Sequence, residues 1–292
     1  MQLRVANALW GQENYRFKQQ YLDLTRRHYG AGLQQVDFQK NLETARRKIN
    51  GWVEEKTEKK IKELIPKGAL NKLTRLVLTN AVYFKARWAN VFEEGATRDK
   101  EFVLLDGSKI EVPTMHGTHR FGYRETEGAK ILEMPYKGHR VGMVVILPDK
   151  SAGLPELTDR LSVDRLRTLT EDLDYTRVSV ALPRFKMSAK FRLEKVLAQM
   201  GMPDAFDPDE ADFSGITERE KLHIQAALHK AYVDVYEKGT EAAAATGIAF
   251  GAESVNTEPP KEFRADHPFL FLIRERERGT ILFLGRVVNP GR

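Results

Sequence analysis

Residues able to do chemistry are sparse in this sequence. It holds no cysteine, which excludes a disulfide framework, thiolate-bound zinc, iron–sulfur clusters and a cysteine nucleophile. His116 and His119 stand three residues apart, and two imidazoles can share a metal, but no third donor accompanies them in a segment rich in turn residues. They read as surface histidines. His229 lies in an apolar stretch and, taken alone, reads as a core histidine with its ring nitrogens satisfied. Neither a glycine-rich phosphate loop nor a placed Ser/His/Asp set occurs. The informative stretch is 237–260. An apolar segment ends, Gly239 follows, then Thr240-Glu241-Ala242-Ala243-Ala244-Ala245-Thr246, and Pro259-Pro260 closes the run. The alanines could form a short helix, but Thr246 and Gly247 stop it before the roughly 12 residues an isolated helix needs. The alternative is a long surface loop, and loops beyond about 12–15 residues are usually functional.

The elements that must hold this stretch follow from periodicity. A strand is predicted over 3–10, and apolar spacing predicts helices over 17–29 and 41–65. The run 76–84 is almost continuously apolar and suits a strand buried on both faces. Segments 101–105, 109–112, 120–124, 130–136 and 141–147 alternate with turn residues and read as an antiparallel meander. Residues 153–171 and 191–200 read as helices, and 177–182, 224–236, 269–273 and 281–288 as strands. Helices and strands come in blocks, which favours an α+β fold over a doubly wound sheet.

Composition bounds the rest. The 292 residues carry 47 Lys+Arg against 41 Asp+Glu, a formal charge of +6, with pI about 9.3. Basic residues in 56–63 and 274–278 are interleaved with acids, so those runs read as solvated surface and no nucleic-acid partner is expected. No stretch reaches the roughly 18–20 apolar residues of a membrane helix, and residues 1–10 lack the pattern of a signal peptide. No repeat or low-complexity linker divides the chain.

The sequence resembles the serpins, along its whole length. Glu237-Lys238-Gly239-Thr240-Glu241-Ala242-Ala243-Ala244-Ala245-Thr246 is similar to the reactive-loop hinge of an inhibitory serpin. Phe263-Arg264-Ala265-Asp266-His267-Pro268-Phe269 matches the signature after that loop, and Gly285-Arg286-Val287-Val288-Asn289-Pro290 the C-terminal strand. Asn80-Ala81-Val82-Tyr83-Phe84-Lys85-Ala86-Arg87-Trp88 resembles the central-sheet strand that leads to the breach tryptophan. Asn7-Ala8-Leu9-Trp10, Met134-Pro135-Tyr136, Leu182-Pro183-Arg184-Phe185-Lys186 and Asp212-Phe213-Ser214-Gly215-Ile216 also fall in family order.

The resemblance implies a serpin-like fold with a large central mixed sheet, smaller antiparallel sheets, surrounding helices and an exposed reactive loop at about 239–260. It implies an inhibitor of serine endopeptidases, with some cysteine proteases as a further target class, and not an enzyme. In that mechanism the protease forms an acyl-enzyme with the loop, which then enters the central sheet as a new strand. From Thr240 to Glu253 is 14 residues, roughly 46 Å as a strand at about 3.3 Å each. Small side chains at Thr240, Ala242 and Ala244 would let the loop thread inward without desolvating a charge. Family spacing counted from Gly239 places the reactive bond at Glu253–Ser254. Counting back from Pro268 places it at Thr257–Glu258, and Phe250 offers a chymotrypsin-like alternative. Glu253 would suit a protease with a basic primary pocket. Asn80, His229 and Trp88 match the positions that control sheet opening. No cofactor or metal is implied, and the expected partner is a target protease held as a covalent acyl complex, with no nucleic acid or membrane. Extracellular localisation is implied, with a cytoplasmic location left open by the missing signal peptide. The alternative is a non-inhibitory serpin with a carrier, chaperone or storage role, or an inactive fragment.

Serpins carry several helices and a strand before the point matching Met1. The expectation is therefore a single domain over 1–292, N-terminally incomplete, aggregation-prone and a poor inhibitor by itself, whereas a complete chain would be a monomer.

Overall fold

The structure, a computed structural model, describes residues 1–29, 33–218, 221–240 and 258–291. Its elements run β1 (Gln2–Gln12), α1 (Gln19–Tyr29), β2 (Gln34–Val36), α2 (Leu42–Lys56), β3 (Leu76–Arg87), β4 (Arg98–Val103), β5 (Lys109–Thr126), β6 (Ala129–Pro135) and β7 (Val141–Pro148). Then follow α3 (Leu154–Asp159), α4 (Val163–Thr170), β8 (Asp174–Pro183), β9 (Phe185–Arg192), α5 (Glu194–Gln199), β10 (Ala226–Tyr236), β11 (Gly239–Thr240), β12 (Lys261–Arg264), β13 (Phe269–Glu275) and β14 (Ile281–Val287). The chain divides into two compact units, one holding 3–83 and 187–232, the other 1–2, 84–186 and 233–292.

In the unit of residues 3–83 and 187–232, β1 pairs with β2 in parallel, and β3 pairs with β10 in parallel from Val77↔Ala226 to Tyr83↔Tyr232. Helix α2 lies on this sheet. Ile49 and Val53 pack into one buried cluster with Trp10, Val77, Ala81, Leu228 and Tyr232. Trp10 donates its indole N–H to Thr79 Oγ1 at 3.0 Å and meets Trp52 edge-on at 5.5 Å, so its burial leaves no donor unpaired.

Helix α2 stops at Lys56, nine residues short of the expectation from periodicity. The chain turns because Glu58 and Lys59 have φ of 51° and 62°, left-handed values that end a right-handed helix. Thr57 stabilises the turn, its hydroxyl donating to Val53 O at 2.8 Å and accepting from Ile61 N at 3.2 Å. Ile61, Leu64 and Ile65 still enter the same core, from non-helical backbone. Residues expected to begin a helix at 191 instead finish β9, with α5 only six residues long.

In the other unit, β12, β8, β5, β6, β7, β13 and β14 follow one another in an eight-stranded sheet, with β4 also paired to β5. All its pairings are antiparallel except β12 with β8. Helices α3 and α4, a pair where one helix is expected, place Leu154, Leu157, Leu166 and Leu169 on Ile131, Val144, Ile146 and Leu270. They separate before Ser162, whose side chain caps α4 by accepting from Arg165 N. The strand buried on both faces is β7, every residue of which is inaccessible. On β3 the second face, with Leu78, Asn80 and Val82, is only half-buried. Strand β5 is continuous over 18 residues, where two short segments are expected. His116 and His119 thus lie inside a strand on opposite faces, because an odd separation inverts direction, and both are half-buried.

The core around α2 yields a stability test. Ile49→Ala, at a fully buried position, should cost about 2–5 kcal/mol in urea unfolding. Leu24→Ala, at a position 53% exposed on α1, should cost under about 0.5 kcal/mol.

Candidate functional site

Strand β10 ends in a tight hairpin. Tyr236 pairs with Gly239 and Val235 with Thr240, while on its other side β11 pairs with the end of β3, Gly239 with Arg87 and Thr240 with Ala86. Two residues thus lie between β3 and β10. Gly239 has φ of 142°, and a Cβ there would stand 2.1 Å from Ala86 O and 2.6 Å from Arg87 Cα. Only glycine fits so close an approach.

Thr240 is fully buried. Its hydroxyl shares a 2.6 Å hydrogen bond with Tyr136 Oη, and burial pushes the Tyr136 phenol well above its ordinary value. Trp88 stacks on Tyr136 with ring centres 4.4 Å apart and planes 11° from parallel. Its indole N–H donates to Tyr236 O at 2.9 Å, and its backbone N–H to Lys238 O at 3.0 Å. Trp88 therefore holds both ends of the hairpin.

Beneath the turn, the Glu237 carboxylate is almost inaccessible. Arg184 donates from Nε at 2.7 Å, and Thr97 Oγ1 donates to the same carboxylate oxygen. Burial raises the carboxyl pKa, but the bonds from Arg184 and Thr97 outweigh it and hold the group below the usual glutamate value. Arg184 was noticed in the sequence only as part of a family match. Thr97 carried no signal.

Asn80 and His229 face each other in register across β3 and β10, and His229 Nδ1 is hydrogen-bonded to Asn80 Oδ1. Asn80 donates its amide N–H to Asn7 Oδ1 on β1. With the Asn80 oxygen turned to His229, Nδ1 carries the proton and donates it. A polar ladder crosses three strands, and its member Asn7 appears in the sequence reading only as part of a family match. His229 is half-buried against the ring of Phe191 at 5.8 Å, not enclosed in a core, and burial lowers its pKa. Glu241 to Thr246, Phe250, Glu253, Ser254 and Thr257 lie outside the described residues. Among the described residues no group of three His, Asp or Glu could hold a metal, and no helix is long and apolar enough to cross a membrane.

A mixed sheet with the two residues Gly239 and Thr240 seated between β3 and β10 is the geometry against which the comparisons stand, and they agree on a class. The family model described as Serpin (serine protease inhibitor) matches residues 1–290. The chain belongs to the serpin family. It is 44% identical to an uncharacterized serpin-like protein of Thermococcus kodakarensis, over 99% of this chain and 66% of that protein, so it spans just under two thirds of that relative. It is 42% identical to the human leukocyte elastase inhibitor over 99% of this chain and 78% of the inhibitor. A crystal structure of a highly specific serpin of the insect Tenebrio molitor superposes with a TM-score of 0.86 at 36% identity, covering 98% of this chain and 76% of that one.

The buried carboxylate sets a pH test. A carboxyl depressed on folding stabilises above its unfolded pKa, and loses that contribution as pH falls through the folded value. Glu237→Gln should lower Tm by about 2–4 °C near neutral pH, the effect of roughly 1 kcal/mol in a chain of this size. Thermal scans should show the deficit shrinking as pH drops below the ordinary glutamate value.

Proposed function

We propose that the chain is a single serpin domain that inhibits serine endopeptidases as a suicide substrate. The observation that carries this reading is the seating of Gly239 and Thr240 between β3 and β10, where a longer strand would continue. The protease serine attacks the carbonyl of Glu253, the bond to Ser254 breaks, and the amine of Ser254 leaves as the acyl-enzyme forms. Phe250 and Thr257 are the alternative acyl-side residues. Residues from Glu241 through Glu253 then enter the sheet behind Thr240. In this reading the Asn80–His229 bond is the gate that must open, and Trp88 with Tyr136 guides the entry.

Incubation with trypsin, chymotrypsin, pancreatic elastase, subtilisin and a glutamyl endopeptidase tests the mechanism. The expected result is a protease complex that survives boiling in SDS, with release of a C-terminal peptide whose mass places its first residue at Ser254. Thr240→Arg puts a charge where the buried hydroxyl now sits, and should convert inhibition into plain cleavage. Undiminished inhibition by that variant would exclude insertion.

A second reading, a non-inhibitory serpin or an inactive fragment, is favoured by exposed apolar side chains. Leu3 and Val5 on β1 and Ile281 and Leu284 on β14 are each at least 38% exposed. Surfaces of that kind drive association. In this reading sedimentation velocity shows oligomers at micromolar concentration, and proteases cleave the chain without forming a complex. A monodisperse, cooperatively unfolding monomer would speak against it.

A further inference from the structure

The overall charge excess of the chain is small, yet one sheet face concentrates it. Pairing aligns Arg98 with Thr114 and Pro183, then His116 with Ala181 and Arg264, then Thr118 with Ser179 and Glu262, then Arg120 with Arg177. Side chains in one row share a face, and alternate residues along a strand return to it. The intervening residues Val178, Val180, Leu182 and Phe263 are buried on the opposite face, so the rows of His116, Thr118 and Arg120 look outward, while in the first row Thr114 and Pro183 are covered and only Arg98 is exposed. Lys100 lies two residues beyond Arg98 on the same side of β4.

Five full cations therefore share this face, and Glu262 is the one acid in its rows. Arg264 pairs with Glu262 at 3.1 Å. Arg98 and Arg120 donate to backbone carbonyls. Lys100 and Arg177 are exposed and have no partner among the described residues. Burial, then the nearby charges of Lys100, Arg98 and Arg264, lower the pKa of His116, in keeping with the placement of those cations by the strand register. Between the cations lie the small side chains of Thr118, Ser179 and Ala181, which leave the surface flat.

We propose that this outward face of β4, β5, β8 and β12 is a docking surface for an acidic patch on the target protease. The proposal rests on the inhibitor reading and names the partner's chemistry. Continuity of the chain supports it, since the loop assigned to the protease ends at Pro260 and β12 begins at Lys261. Rows about 7 Å apart give a surface roughly 20 Å by 10 Å before side chains are counted, a sizeable part of the ~800 Å² that one partner contributes to a standard interface. A flat face interrupted by a carboxylate and neutral side chains suits a protein surface of mixed groups better than a continuous polyanion. Exposed, unpaired cations act chiefly by steering encounter.

The test uses the five proteases named above with their nucleophilic serine replaced by alanine, so that association is read without cleavage. For those with acidic surfaces, K100E together with R177E should slow association about tenfold at low ionic strength, and the gap should close to within about twofold at 0.5 M salt. K67E with K72E makes the same change in net charge and should leave the rates within about twofold of the unchanged chain. Equal rates for the two double variants, a salt-insensitive loss, or no association with any of the five would overturn the proposal. So would K100E/R177E abolishing retention on a sulfated-polysaccharide column while protease rates stay unchanged, a result that assigns the face to a polyanion. The inhibitor reading fails separately, when the active proteases give no SDS-stable complex although the inert ones still discriminate between the variants.

Discussion

A hydroxyl group buried at the end of a two-residue strand governs the hairpin that follows β10. Thr240 has no access to water, and an unpaired hydroxyl there would cost about 1–3 kcal/mol. Tyr136 supplies the partner, but a tyrosine placed that deeply must satisfy its own hydroxyl, so each group is tenable only because of the other. Trp88 fixes the plane of Tyr136 by stacking, and its own N–H reaches back to Tyr236, the last residue of β10. Gly239 permits the approach by omitting a side chain that would collide with Ala86. Hairpin, aromatic pair and strand end are therefore one mutually dependent unit.

Electrostatics holds the same hairpin from below. Glu237 sits in the turn, and its carboxylate is tied to Arg184 and Thr97. A buried carboxylate is tolerable only when paired and hydrogen-bonded, and here both conditions are met. The polar ladder Asn7–Asn80–His229 has another character. It is short-ranged, half-exposed and neutral, with the histidine held uncharged by desolvation. Neutral amide and imidazole groups can exchange partners without moving a charge out of solvent, a property suited to a contact that opens. The carboxylate contact is suited to one that stays closed.

Much of this was legible in the residues. Alternation and turn chemistry located most strands of the eight-stranded sheet, whereas the alanine run after Gly239 lies outside the described residues. The errors have physical causes. Helix α2 kept its apolar spacing past its true end, because Ile61 and Leu64 are buried for tertiary reasons after a left-handed turn that acidic and basic residues do not announce. Strand β9 has only scattered apolar residues, so most of it went unassigned and its last two residues, Phe191 and Arg192, fell into the expected helix. Asn80 and His229 were found through family order. Glu237 and its partners could not be paired by spacing, since Arg184 and Thr97 lie 53 and 140 residues away in the chain.

The arrangement of aromatic rings has an optical consequence. The chain has three tryptophans, and two of them, Trp10 and Trp52, meet edge-on, Trp10 in the core and Trp52 half-buried on α2. Trp88 is stacked on the tyrosine that holds Thr240. Its indole is buried and bonded to a backbone carbonyl, an environment that changes whenever the hairpin shifts. The protein thus carries an intrinsic chromophore beside Thr240, and emission from Trp88 is sensitive to the packing of this hairpin without any added label.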